Sequence, residues 1–201
     1  MSALIAATKK ADYPAEIVLV LSNKASAAGL ERAAAEGIAT AAIAHRDYAD
    51  REAFDRAMSA RIEASGAEVV CLAGFMRLLS PWFCQHWAGR LINIHPALLP
   101  SFKGLDTHQR ALDAGVKIHG ATVHFVVPEM DEGPIIAQAA IPVLPDDTED
   151  TLATRVLAQE HRIYPLGLRL VASGTARMDN GRTVSTAPSN AATALVVPDL
   201  S

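Results

Sequence analysis

Leu91-Ile92-Asn93-Ile94-His95-Pro96-Ala97-Leu98-Leu99-Pro100 begins as an apolar strand and ends in a loop bounded by prolines. Residues two apart on a strand share a face. Asn93 and His95 therefore stand side by side at the strand's exit. Pro96 ends ladder hydrogen bonding and turns the chain away. Open α/β sheets bind ligands at the carboxyl ends of parallel strands. An amide and an imidazole placed there donate two hydrogen bonds to one oxygen, or hold one proton between them. The alternative is a buried Asn and His that only satisfy each other. Their shared face at the mouth of a loop weighs toward function.

The sequence on both sides of this stretch sets the fold. Upstream, Ala67–Ala73 reads as a buried strand left by Gly74-Phe75-Met76-Arg77, and Pro81–Trp87 as a short helix. Asp50–Ser65 is amphipathic, with Phe54, Met58 and Ile62 at helical spacing and Gly66 closing it. Nearer the start, helices over Met1–Lys10 and Ala27–Glu36 (closed by Gly37) alternate with strands over Ala15–Leu21 and Ile38–Ile43, and Ser22-Asn23-Lys24 forms a turn. Downstream come a helix over Thr107–Ala114, an alternating strand over Gly120–Val127, a strand over Ile135–Ile141 and the longest helix, Thr148–Val171. Strand–helix alternation predicts a parallel sheet. The fold class is α/β, Rossmann-like: a mostly parallel central sheet flanked by helices, with a C-terminal hairpin extension and a long helix. No internal repeat or domain boundary is visible, so residues 1–201 read as one domain. From Ser173 the chain turns polar and small; residues 173–201 read as peripheral, and Ser185–Ala192 as a tail or edge segment.

The chain has 201 residues, 50% hydrophobic and 20% charged, with a formal net charge of −4. This is the profile of a globular domain with a proper core. Without a basic excess, no nucleic-acid or anionic-membrane partner is expected. Cys71 and Cys84 fit no metal-ligand spacing and read as reduced thiols of a cytoplasmic protein. No apolar run approaches transmembrane length. Ala3–Ala7 is apolar but lacks the flanks of a signal peptide.

Three features converge on the open end of the sheet. The first is the Asn93–His95 pair. The second is the loop Pro128-Glu129-Met130-Asp131-Glu132-Gly133-Pro134. A carboxylate beside an imidazole favours the charged ring and fixes its tautomer. Asp131 is the candidate, since Gly133 and Pro134 give the loop a set turn; capping that turn is an equally open role. The third is Gly74–Leu79, where Met76, Leu78 and Leu79 either line an apolar slot or belong to the core. The seven histidines show no zinc-site spacing, and no metal is expected. There is no Gly-x-Ser-x-Gly elbow.

The segments SNKASAAGLERAAAEGIAT, CLAGFMRLLSPWF, GRLINIHPALLPSFKGLDTH, HGATVHFVVPEMDEGPIIAQ and QEHRIYP, running from about Ser22 to Pro165, resemble the folate-dependent phosphoribosylglycinamide formyltransferases of purine synthesis. The Asn-x-His-Pro-x-Leu-Leu-Pro core is shared by several formyltetrahydrofolate enzymes; Gly104–His108 and Thr122–Phe125 are more specific. The resemblance implies a formyltransferase fold and formyl transfer from 10-formyltetrahydrofolate, the co-substrate, to the amine of glycinamide ribonucleotide. It implies Asn93, His95 and Asp131 as the catalytic trio. It implies folate contacts by Arg51, Met76, Arg77, Leu78, Leu79, Asn93, Val127, Pro128, Glu129, Met130 and Asp131. It implies ribonucleotide contacts by Leu157, Ala158, Gln159 and Glu160, with Glu160 the polar one. The expected assembly is a monomer or homodimer.

One departure accompanies the resemblance. Family members open with a strand and a Gly-Ser-Asn loop that holds the substrate phosphate on N–H groups at a helix start. Met1-Ser2-Ala3-Leu4-Ile5 instead matches the inside of the first helix, so roughly a dozen residues, a strand and a short loop, are expected to be missing. Weakened phosphate binding is the corresponding expectation, and a folate-binding remnant without catalysis is the rival reading from another class. A formyltetrahydrofolate hydrolase would use the same trio with water, but usually carries an amino-terminal regulatory domain. A methionyl-tRNA formyltransferase would need a carboxyl-terminal RNA-binding domain and a basic surface.

Overall fold

A computed structural model of the chain describes residues 1–188 and 195–198. In chain order the first half runs α1 (Ser2–Thr8), β1 (Val20–Ser22), α2 (Ala28–Ala35), β2 (Thr40–Ala42), α3 (Arg51–Glu63), β3 (Val70–Leu72) and α4 (Pro81–His86). The second half runs β4 (Leu91–His95), α5 (Thr107–Asp113), β5 (Ile118–Phe125), β6 (Ile135–Pro142), α6 (Glu149–Ala172), β7 (Ala176–Asp179) and β8 (Arg182–Ser185).

Three of the helices, α3, α4 and α6, begin at side-chain caps. Asp50 accepts the Ala53 N–H at 2.8 Å to open α3, and Ser80 accepts the Phe83 N–H at 3.3 Å to open α4. Thr148 and Thr151 form a reciprocal capping box at the start of α6. Beyond α3, Gly66 takes φ +77°, a conformation that only glycine adopts without strain.

β3 and β4 pair in parallel, with Val70 opposite Leu91 and Leu72 opposite Asn93. β5 then joins β4 antiparallel, and β6 joins β5 antiparallel, so the expected hairpin extends the sheet directly from β4. β1 and β2 form a separate parallel pair. Among the described residues β1 and β3 are each paired on one side only. Both span only three residues, against seven in each sequence-based strand, because only those three positions in each are paired with the neighbouring strand. Leu19 and Leu21 nevertheless pack on the same apolar cluster as Val70 and Leu72.

Leu91 and Ile92 show how the layers are divided. Both are fully buried and, as strand neighbours, point to opposite faces. Leu91 enters the cluster of Phe54, Met58, Ile62, Phe83 and Trp87 under α3 and α4. Ile92 joins Val123, Phe125, Leu152, Val156, Ile163 and Leu168 under α6. Each such side chain contributes about 1.5–3 kcal/mol of burial free energy. The α6 layer sits close: a Cβ on Gly167 would lie 2.6 Å from Val123 Cγ1.

Within the stretch read as peripheral, β7 and β8 form an antiparallel hairpin. Ala176 is buried and Met178 packs on the α6 core, contacts that the small, polar composition after Ser173 did not announce. The tail reading for 185–192 lies in part outside the described residues, which omit 189–194.

His119 on β5 is fully buried, with neither ring nitrogen hydrogen-bonded. Its ring meets Phe102 and His108 edge-on, with centroids 5.8 and 5.4 Å away. Burial, and next the neighbouring His108, push its pKa down to about 4. The unfolded chain therefore takes up a proton between pH 6.5 and 4 that the folded chain refuses. Stability is full above pH 6.5 and is expected to fall toward pH 4, by up to about 3 kcal/mol from this residue. His108 and His124, lowered first by burial, act in the same direction. Urea unfolding at pH 7.5 and pH 5 should show the loss, and His119→Leu should reduce it; an unchanged difference would assign the acid limb to other groups.

Candidate active site

Register brings the site together. Asn93 lies opposite His124, and His95 opposite Thr122, on the face that Leu91 shares. His124 is buried and neutral: desolvation lowers its pKa. Its Nδ1–H donates to the Phe125 carbonyl at 2.8 Å, which leaves Nε2 to accept from Asn93 Nδ2 at 3.3 Å. The Asn93 amide is thereby oriented with one N–H used and the second still available to a ligand. No role was read for His124 from the sequence. Its signal was the alternation of Thr122, His124 and Val126, which places it on the site face only once the register with Asn93 is known.

His95 lies at the end of β4 with its side chain 6% exposed. Nε2 contacts the Phe102 carbonyl at 3.0 Å, and Nδ1 stands 3.4 Å from Asp131 Oδ2. The carbonyl only accepts, so Nε2 carries the hydrogen of that bond and Nδ1 is the nitrogen turned to the carboxylate. Asp131 Oδ2 also accepts the Gly104 N–H at 2.8 Å, and Oδ1 is 3.9 Å from His124 Nε2. The Asp131 carboxylate thus faces His95, His124 and the Gly104 N–H. Its backbone is left-handed, φ +56°, as is that of Phe102, φ +55°, a conformation uncommon outside glycine. Two loops hold these angles between them. Lys103 Nζ pairs with Glu132 Oε1 at 2.8 Å, and the Phe125 N–H donates to the Pro134 carbonyl at 2.9 Å.

The apolar segment after β3 is not core throughout. Met76 is 77% and Leu78 57% exposed, while Leu79 and Phe75 are half-buried against the Phe54 cluster. The Arg77 guanidinium sits 5.6 Å from the Phe54 ring centre. Arg51, the first residue of α3, lines a shallow depression with Arg56, Ser80 and Pro81 that includes none of Asn93, His95 and Asp131. Val127 is half-buried, and Pro128, Glu129 and Met130 are exposed beside Asp131.

On α6 the four residues read as ribonucleotide contacts separate. Leu157 and Glu160, three apart and so on one helix face, line a cavity with Pro96, His108 and Thr154. Ala158 and Gln159 do not line it, and Gln159 accepts a hydrogen bond from Arg162 instead. Burial raises the Glu160 carboxyl pKa. Pro96 links this cavity to the trio, since it follows His95 directly. Among the described residues no three His, Cys, Asp or Glu side chains gather as a metal-binding group, and no helix is long and apolar enough to cross a membrane.

Asn93 and His95 on β4 and Asp131 on the loop after β5 thus meet at one end of the sheet, and comparison with known proteins gives the class. The formyl transferase family model matches residues 1–168. Phosphoribosylglycinamide formyltransferase of Escherichia coli (strain K12) is 48% identical over 178 residues, covering 89% of this chain and 84% of that protein. The trifunctional purine biosynthetic protein adenosine-3 of Bos taurus is 50% identical over 183 residues, and the chain spans only 18% of its length. The crystal structure of glycinamide ribonucleotide transformylase 1 from Symbiobacterium toebii superposes with a TM-score of 0.87 at 44% identity, covering 91% of this chain and 86% of that one. The chain belongs to the formyl transferase family, among the phosphoribosylglycinamide formyltransferases.

Proposed function

We propose that the chain transfers a formyl group from 10-formyltetrahydrofolate to the amine of glycinamide ribonucleotide. The observation that carries this reading is the convergence of Asn93, His95 and Asp131 at one sheet end, in a chain similar to enzymes named for that reaction. The amine attacks the formyl carbon, and the carbonyl oxygen becomes an oxyanion. The free N–H of Asn93 and the Nδ1–H of a charged His95, which also faces Asp131, stabilise it, each such donor contributing about 3 kcal/mol. Asp131 stabilises positive charge on the ring and takes part in moving the amine's proton out, through water. That proton reaches the folate nitrogen as the tetrahedral intermediate collapses, so the C–N bond to the folate breaks, tetrahydrofolate leaves and the formamide remains. The Glu160 cavity holds the ribonucleotide, and the wall of Met76, Leu78 and Leu79 receives the flat ring of the folate, with Arg51, Arg77 and the 127–131 loop beside it. Flat ring systems are bound by apolar walls with a few placed polar groups.

The test is a turnover assay with and without glycinamide ribonucleotide. Tetrahydrofolate release that depends on the ribonucleotide supports the transferase. Release without it indicates a hydrolase, and folate-analogue binding with no release in either case indicates a binding protein.

Introducing charge into the slot tests the folate assignment separately. Leu79→Glu is expected to weaken folate-analogue binding about 10- to 100-fold, because a carboxylate must lose water beside an apolar ring. Calorimetry measures it, and unchanged affinity would remove Leu79 from the slot.

A further inference from the structure

A row of three side chains crosses the sheet behind the site: His95 on β4 lies opposite Thr122 on β5, which lies opposite Gln138 on β6. Residues in register on adjacent strands point to the same face, so the row ends on the site histidine. Thr122 is fully buried. Its hydroxyl donates to the Ala97 carbonyl at 2.7 Å and accepts from the Leu99 N–H at 3.1 Å and from Gln138 Nε2 at 3.0 Å. One donor and two acceptors are all that a hydroxyl has. Gln138 Nε2 spends its other hydrogen on the Leu99 carbonyl, at 2.9 Å.

Three of these four bonds grip the loop that leaves His95. Thr107 adds a fourth tie, its hydroxyl donating to the Pro96 carbonyl at 2.7 Å. Three residues beyond Leu99, Phe102 turns left-handed and offers its carbonyl to His95 Nε2. The loop therefore returns to the ring it started from, and its path between is set from below by Thr122 and Gln138. Among the described residues no other side chain hydrogen-bonds the Ala97–Leu99 backbone, so without them the loop loses the polar anchors on its way to Phe102.

We propose that Thr122 and Gln138 are positioning residues: acting through the Ala97–Leu99 loop, they hold the Phe102 carbonyl on His95 Nε2 and so fix the direction in which the ring presents Nδ1. The proposal rests on the reading of His95 as catalytic. Neither residue touches substrate. A misplacement of about 1 Å at a reacting group costs on the order of 100-fold in rate, and a fully satisfied buried network loses more than one bond when its central member goes.

Thr122→Val keeps the shape and removes the hydroxyl. It is expected to lower kcat about 10- to 100-fold with the KM for the folate within about threefold, and Thr122→Ser is expected to restore most of the rate. Gln138→Met, at a more exposed position, should show a smaller kcat effect, and adding it to Thr122→Val should cost less than the two single effects multiplied, because both act on one loop. The ring 15N and Nε2–H signals of His95 should move in Thr122→Val and return in Thr122→Ser, a readout that needs no turnover. Full kcat in Thr122→Val with unmoved His95 signals overturns the proposal. So does a loss shared between kcat and KM that Thr122→Ser fails to rescue, since that is the mark of general disruption. If the His95 signals move as expected while His95→Ala itself keeps its rate, positioning stands and the catalytic reading of His95 fails.

Discussion

His95→Ala is expected to lower kcat by about 10³-fold or more. Two effects combine in that number. Loss of an oxyanion donor costs on the order of 10²–10³, and loss of a group that moves a proton in the transition state costs about 10²–10⁴; one side chain serves both, so the losses overlap. Substrate binding should change little, because the interaction forms only as charge develops. Asp131→Asn should follow the same direction with a smaller loss, since the amide keeps the shape but not the charge facing Nδ1 at 3.4 Å. It also keeps an oxygen for the Gly104 N–H. Steady-state kinetics with melting curves for each variant provides the measurement. Near-normal turnover in a folded His95→Ala protein would take the histidine out of the mechanism.

Gly133→Ala is expected to reduce both stability and turnover. A Cβ at Gly133 would fall 1.7 Å from the Phe125 carbonyl oxygen and 2.8 Å from its carbon. Both are backbone atoms at the end of β5, so neither yields by rotating a side chain. To reach ordinary contact the loop must shift by well over about 1 Å, and Asp131 shifts with it. Strain or a broken contact of this kind costs roughly 2–4 kcal/mol, and a carboxylate displaced that far costs about 100-fold in rate. Asp131→Asn in the Gly133→Ala background should then add almost nothing to the rate loss, because the carboxylate has already left its place. Independent, multiplying effects would show that Gly133 does not act through Asp131.

Much of the frame was legible in sequence. The helix over Asp50–Ser65 and its end at Gly66 were readable, because helical spacing and left-handed closure depend on residues within a few turns of each other. The hairpin over β5 and β6 followed from alternation and a short loop. The β7–β8 hairpin was not legible. Its strands are short and polar, and what selects them is contact with the core below. The lengths of β1 and β3 were overread for a related reason: apolar runs report burial, whereas strand length is set by how many residues pair with a neighbour.

The sequence by itself determined that Asn93 and His95 share a face at a strand's end, since a period of two is a property of the local backbone. Only the tertiary structure decided that Asp131 reaches Gly104 and the His95 ring, that His124 turns the Asn93 amide, and that Thr122 and Gln138 stand under the loop. These contacts join residues 16 to 39 positions apart. They depend on strand register and on two loops meeting, and a shift of register by one residue would send every one of those side chains to the opposite face. Local periodicity carries no information about register between distant strands, so the candidate residues could be listed from the chain, but their hydrogen bonds could not.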